Sequence, residues 1–354
     1  MAFHTFPALN LPFLPLQNVL RHCSIEDLLS LSILSARTEN AINASLIRTK
    51  RVEIGFSHLR VVLLNDSEVH WKFVTDPESL INPKFSDLLI SYQINGGTSY
   101  CAHSKQAMTT VFRKFKKLFK IDKIALLEIC VTGNLQKDPI LQRIQKCETV
   151  KMWLGNAVCE KDLEWFFGRI TVEDTFCIDS GSKGAYIWDK PFSTAKCVIY
   201  EGHGHTFNPT NLFNCTHIHF QRDFRSPSPL NQLIKNWQHG RLPNLRIIEH
   251  SGMSTDEQFM GKLLEGLGSE EWDTEREKTF NMNLFFTYAK LKTMTRSLHF
   301  RQGRDITRFT DGMKASIIPN RRALHLDDFV FVVWSDWIPG QFRRPSKTPY
   351  VPMM

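Results

Sequence analysis

The sequence predicts a mixed α+β/α/β protein: a short all-α module at the N-terminus, then a larger strand–helix repeat domain that ends in an antiparallel hairpin. Apolar residues at helical spacing crowd the N-terminal segment. Short strand-like runs recur later with helix-like segments between them, and an Asp-Gly turn separates two strand-like runs near the C-terminus. The 354 residues suffice for two or three domains, and 42% hydrophobic residues favour a buried core over disorder.

Composition narrows the function classes. The formal net charge of +8 permits an acidic partner or nucleic acid without demanding either. The eight cysteines form no C-x-x-C pair, which removes the usual zinc-ribbon and redox spacings and suits buried thiols in a reducing compartment. The Asn214-Cys215-Thr216 sequon is silent without a secretory route. The apolar N-terminus lacks a basic leader and is interrupted by Pro7, Pro12 and Pro15, unlike a signal peptide. The longest strongly apolar stretch, Phe329 to Trp334, is far shorter than the ~18 residues of a membrane span. A soluble cytoplasmic or nuclear protein is expected.

In the N-terminal module, Phe6-Pro7 and Leu11-Pro12 set extended steps, because the residue before proline avoids the helical region. Leu16, Val19, Leu20 and Cys23 then fall at helical spacing. Ser24 is a natural N-cap, with Asp27 three residues on. The helix that follows carries Ile25, Leu28, Leu29 and Ile33 on one face, with Leu31 and Leu34 pointing elsewhere. A helix apolar on more than one side needs cover on more than one side. That cover comes either from the rest of the chain or from another protein.

The order of these features resembles an F-box over residues 5–46. It runs Phe6-Pro7-x-Leu9-x-Leu11-Pro12-x-Leu14-Pro15, then Val19-Leu20, then Ile25-x-Asp27-Leu28-Leu29-x-Leu31-Ser32-x-Leu34-Ser35-x-Arg37. The resemblance implies docking to a Skp-type adaptor of a cullin-RING (SCF-type) ubiquitin ligase. By position it makes Leu11, Pro12, Val19, Leu20, Leu28, Leu31 and Leu34 the adaptor-facing or module-packing residues. The tryptophan frequent late in that family's third helix is missing near residues 40 to 50.

Residues 50–107 read as a strand-rich linker region, with Val52, Ile54 and Phe56 alternating and Asn95-Gly96-Gly97 as a turn. Residues 108–120 form a basic amphipathic helix. Val111, Phe115, Leu118 and Phe119 line one side of it, and Arg113, Lys114, Lys116, Lys117 and Lys120 the rest. It is either a solvated surface or an anionic contact.

An α/β substrate-binding domain is expected over 108–340. Its strand-like runs are Ala125–Val131, Val150–Leu154, Val172–Ile178, Ala195–Tyr200, Thr216–Phe220 and Leu245–Glu249. Their separations of roughly 21 to 29 residues are leucine-rich-repeat-like. Helix-like segments at Ile140–Gln145, Lys161–Phe167 and Leu230–Trp237 suggest parallel strands with helical crossovers. A single irregular α/β domain is the other reading.

Within about 176–252 the chain resembles the F-box-associated domain type 2. The resemblance rests on Leu212, Ile218-x-Phe220, Leu230-Asn231-x-Leu233-Ile234-x-x-Trp237, Gly240 and Leu242-x-x-Leu245. Leu230, Leu233, Ile234 and Trp237 share a helical face suited to packing on the strand Leu245–Ile248. Asp305–Arg308 and Met313–Ile318 flank Thr310-Asp311-Gly312 as a hairpin, and Phe329–Trp334 supplies a third strand. Residues 253–278 read as an acidic, partly helical excursion, and 341–354 as a basic Pro-rich tail.

No nucleophile elbow, Walker loop, dinucleotide glycine pattern or ligase-type catalytic cysteine is apparent, so no catalysis and no cofactor are expected. The pairs His203-Gly204-His205 and His217-Ile218-His219, with Cys197 and Cys215 nearby, are candidate zinc donors. No carboxylate motif accompanies them, and hydrogen-bonded or surface histidines are the favoured reading, with no metal assigned. The expected function is substrate recognition for the ligase: adaptor on the N-terminal helices, protein target on the later domain. A basic nucleic-acid-binding protein or an interaction protein outside the ligase system is the alternative.

Overall fold

The computed structural model describes residues 11–75, 97–101, 104–131, 134–154, 160–179, 194–201, 212, 214–221, 227–251, 256–272, 279–281, 297–299, 303–321 and 327–334. The chain divides into two compact units, Met1–Asp179 and Ser180–Met354.

The first unit opens with three short helices, α1 (Phe13–His22), α2 (Ile25–Leu34) and α3 (Ala36–Ala44). It continues with β1 (Thr49–Ile54), β2 (His58–Leu63), β3 (Glu68–Thr75), β4 (Gly97–Cys101), α4 (Ser104–Leu118), β5 (Ile124–Val131), β6 (Lys146–Leu154), α5 (Glu160–Arg169) and β7 (Thr171–Asp179). Its strands lie in the order β7-β6-β5-β1-β2-β3-β4. β5, β6 and β7 are parallel, β1 is parallel to β5, and β1–β2–β3 form an antiparallel meander. β1 is thus a central strand: Val52, Glu53 and Ile54 are all buried, while Phe56 lies beyond its end and is exposed. α4 places Val111, Phe112, Phe115 and Leu118 in the core, and the Phe115 ring meets Trp71 of β3 edge-on at 5.0 Å.

The second unit contains β8 (Cys197–Glu201), β9 (His217–Gln221), α6 (Ser228–Gln238), β10 (Ile247–Ser251), α7 (Glu257–Leu264), β11 (Glu270–Glu271), β12 (Thr279–Asn281), β13 (Ser297–His299), β14 (Arg304–Thr307), β15 (Lys314–Arg321) and β16 (Asp327–Val333). Its main sheet runs β11-β14-β15-β16-β10-β9-β8, with β12 and β13 paired separately. β8, β9 and β10 are parallel, whereas β10, β16, β15, β14 and β11 alternate in direction. Leu230, Leu233, Ile234 and Trp237 of α6 are all fully buried. The Trp237 ring meets Phe331 of β16 at 5.2 Å.

Hydrogen bonds from α6 tie it to α7. Asn231 Nδ2 donates to the carbonyls of Leu263 and Glu265 at 2.7 and 2.9 Å, covering the C-terminal end of α7. Those carbonyls have no partner inside their own helix, as at any helix end. Gln238 donates to the Leu267 carbonyl at 2.8 Å. The β14–β15 turn is held by Arg308, whose guanidinium grips both Asp311 carboxylate oxygens and lies 5.4 Å over the Trp237 ring. Gly312 supplies the positive φ, +73°, that this turn requires.

The expected fold class needs correction. An independent all-α F-box followed by a leucine-rich-repeat-like domain is not what the chain builds. The first helices are only nine or ten residues long, below the ~12–15 residues at which an isolated helix becomes even marginal. They are stitched to the β2–β3 turn of their own unit. The Ile25 amide donates to Ser67 Oγ at 2.9 Å, and Asn65 Nδ2 donates to the Cys23 carbonyl at 3.1 Å. The repeat fails because the strand directions are mixed in each unit, with an antiparallel meander in the first and an antiparallel array in the second. The predicted helix at Ile140–Gln145 is a single short 3-10 turn, Leu141–Arg143. The predicted strand runs do fall on β5, β6, β7, β8, β9 and β10, in parallel pairs within each unit.

Cys147, Cys177, Cys197 and Cys215 are buried thiols, Cys23 is half-buried and Cys130 is exposed. The Asn95-Gly96 part of the predicted turn, the histidines His203 and His205, and the 341–354 tail lie outside the described residues. Within 253–278 the described part, 256–272, holds α7, capped by Asp256 accepting from the Phe259 amide at 2.7 Å.

Candidate functional site

The first candidate is the outer side of α1 and α2. Each helix has a buried stripe: Leu16 and Leu20 on α1, and Ile25, Leu28 and Leu29 with Ser32 on α2. Caps hold the helices in place. Ser24 Oγ accepts from the Asp27 amide at 3.1 Å, and Ser35 and Thr38 form a reciprocal capping box that starts α3. Farther along, α3 is clamped to α4 by Glu39, which accepts from Lys114 at 2.5 Å and Lys117 at 2.8 Å. Hydrogen bonding to those ammonium groups holds the Glu39 carboxyl below the usual carboxylate range.

With one side of each helix spent on the core, the other side decides what is offered outward. It is unusually apolar. Phe13 and Leu14 are 51% and 68% exposed, Val19 46%, Ile33 60% and Leu34 73%. The predicted adaptor-binding set therefore splits. Leu20 and Leu28 are sealed within the unit, Leu11 and Leu31 are half-buried, and Pro12, Val19 and Leu34 face outward. Ile33, expected on the packed face with Ile25, is outward instead, and Phe13 and Leu14 join the exposed set unanticipated. A helical projection could have found Leu14, which lies opposite Leu16 and Leu20, but not Phe13 or Ile33, which project onto the buried faces of their helices.

The basic side of α4 is largely engaged within the unit. Lys114 and Lys117 bind Glu39, Lys116 donates to the Arg143 carbonyl at 2.6 Å, and Lys105 pairs with Asp138 at 2.7 Å. These contacts leave little of that helix as a free cationic stripe.

The second candidate is a polar cluster on the second unit's sheet. On β9, His217 and His219 point to one face, as alternate residues on a strand must. β10 is parallel to β9 with Glu249 opposite His219, so the register brings in a carboxylate that local sequence spacing did not reveal. His219 Nδ1 lies 2.9 Å from Glu249 Oε2, and His217 Nε2 lies 3.5 Å from the same oxygen. His217 Nδ1 in turn faces Cys197 Sγ at 3.6 Å. Cys215, the other predicted thiol donor, bonds the Ala195 carbonyl instead. Burial pushes the Glu249 carboxyl up, but hydrogen bonds and charge from His217 and His219 outweigh it and hold the group well below its ordinary range.

No helix among the described residues is long and apolar enough to cross a membrane. No protein-family model matches the chain, and no solved structure matches it. The chain is similar to a Caenorhabditis elegans protein described as "Uncharacterized protein F59B2.9". The two are 20% identical over 363 residues, covering 96% of this chain and 81% of that protein.

Proposed function

We propose that the protein is a non-catalytic substrate-recognition subunit, docking a Skp-type adaptor of a cullin-RING ubiquitin ligase through α1 and α2 and binding a protein target through its later unit. The observation that carries this reading is the outward apolar set Phe13, Leu14, Val19, Ile33 and Leu34 on two ten-residue helices whose other sides are already buried. Apolar side chains on both sides of a surface helix call for a partner. The order of Leu-Pro, Val-Leu and Asp-Leu-Leu segments adds support for an adaptor of that type. In this reading the helices dock as part of a mixed α/β unit. A subunit of this kind needs no catalytic residue, because it acts by raising the local concentration of target lysines near a charged ubiquitin carrier. A cytoplasmic or nuclear location goes with it, in keeping with cysteines held as buried thiols.

The test is co-purification of the full-length chain with a Skp-type adaptor, comparing wild type with a Val19→Asp/Leu34→Asp double variant. Both positions are exposed, so the variant is expected to keep the wild-type melting temperature and lose adaptor capture by tenfold or more, about 1.4 kcal/mol. Wild-type protein that captures no adaptor, or a folded double variant that captures it equally well, refutes the reading.

A further inference from the structure

The His217–His219–Glu249 cluster has no role in adaptor docking. It is also built as few surface clusters are. His217 is 0% exposed, His219 7% and Glu249 8%. All three come from adjacent parallel strands with other strands on both sides, the most rigid placement a sheet offers. One donor atom from each lies within 4.8 Å of the other two. Donors about 2.1 Å from a tetrahedral ion stand roughly 3.4 Å apart. The distances from Glu249 Oε2, 2.9 Å to His219 Nδ1 and 3.5 Å to His217 Nε2, bracket that spacing.

Charge gives a second, independent argument. A buried carboxylate needs a cation close by. Among the described residues, Glu249 has no lysine or arginine partner; the two imidazoles are its ion-pairing groups. In addition, His219 Nε2 is buried without a hydrogen-bond partner among the described residues, so the ring is committed through Nδ1 alone. An ion among the three donors would supply that charge.

We infer that His217 Nε2, His219 Nδ1 and Glu249 Oε2 bind one zinc-type divalent ion. Two imidazoles and a carboxylate are borderline N/O donors. They suit zinc and related transition metals, and not calcium or magnesium, which take all-oxygen shells. Three protein ligands leave a coordination position for water. The Cys197 thiol against His217 Nδ1 is the outer contact that sets that ring's orientation. An ion there links β9 to β10 by a bond additional to the backbone ladder.

The experiment uses the full-length chain purified without an affinity metal. Elemental analysis is expected to find about one zinc per chain. Cobalt added to the chelated protein is expected to give the visible absorption of a four- or five-coordinate ion. Chelation lowers the melting temperature, zinc restores it and magnesium does not. His219→Gln and Glu249→Gln are expected to lose the ion and the zinc response. Metal-free wild type with no cobalt spectrum and no thermal response to zinc overturns the inference. Zinc that persists in both folded variants overturns it equally. If neither variant folds, the wild-type measurements decide alone.

Discussion

Asn231 offers a sharp test of how the second unit is held together. Its side-chain amide is the only group at that position able to donate twice, and both donations go to carbonyls at the end of α7. Asn231→Ala removes both bonds and leaves two carbonyls short of partners next to a buried side chain. A hydrogen bond contributes about 0.5–1.5 kcal/mol net, and an orphaned buried group costs about 1–3 kcal/mol. The variant should therefore lose about 2–4 kcal/mol, a large share of the ~5–15 kcal/mol typical of a folded protein. Asn231→Asp keeps the shape but turns both donors into acceptors facing oxygen. When ionised it should be worse than alanine. Its folded-state pKa is then raised above the ~3.9 of an unfolded aspartate, because the neutral acid can donate one bond where the anion donates none. A raised carboxyl pKa means that the penalty is smallest below the unfolded value and grows as pH rises through the folded one. Urea denaturation followed by tryptophan fluorescence at about pH 4 and about pH 8 measures both effects, Trp237 being fully buried on the same helix. Hydrogen exchange localises the loss to α7. An alanine variant within ~0.5 kcal/mol of wild type, or an aspartate penalty that does not change with pH, refutes the reasoning.

Other outcomes follow from the same contacts. Leu28→Asp, at a fully buried position, is expected to cost more than ~3 kcal/mol and to unfold the first unit, whereas Leu34→Asp at 73% exposure stays within ~0.5 kcal/mol; circular-dichroism melts compare them. Glu39→Gln loses the contacts to Lys114 and Lys117 and should cost about 0.5–1 kcal/mol at neutral pH. Because the Glu39 pKa is lowered in the folded state, that stability is present above the unfolded carboxylate pKa and fades as pH falls through the folded one. Urea melts of wild type and variant should therefore converge in acid. Gly240→Ala places a Cβ 2.7 Å from Thr310 Cγ2 at a φ of +74°, and should lose more than ~1 kcal/mol. Adding Thr310→Ala relieves the crowding but not the φ strain, so a double-mutant cycle should show partial rescue.

What was legible in the sequence was local periodicity. The α6 face Leu230, Leu233, Ile234 and Trp237 could be read because its spacing is helical and each member is apolar. The runs that became β5 to β10 could be read because strand-like residues end at turn signals. Partnership was not legible. The surplus apolar residues of α2 announce that cover is needed, but only the register of β1–β3 and the reach of Ser67 and Asn65 reveal that Leu28 is covered from within the same unit. The separation of Val19 from its neighbour Leu20 rests on which way α1 is rolled. Glu249 was read as the end of an apolar strand. Its meeting with His219 depends on the pairing of β10 with β9, fixed by two segments thirty residues apart. A lone carboxylate at the end of such a run was the one available hint.

The placement of the thiols has a practical consequence for handling the molecule. Burial raises the pKa of the Cys147 and Cys215 thiols, which deprives alkylating reagents of the thiolate they need. Cys130, on β5, is exposed. A maleimide should thus mark Cys130 in the native protein and reach Cys147 and Cys215 only when the structure around them opens. The chain carries its own reporters of opening, with buried thiols in each unit.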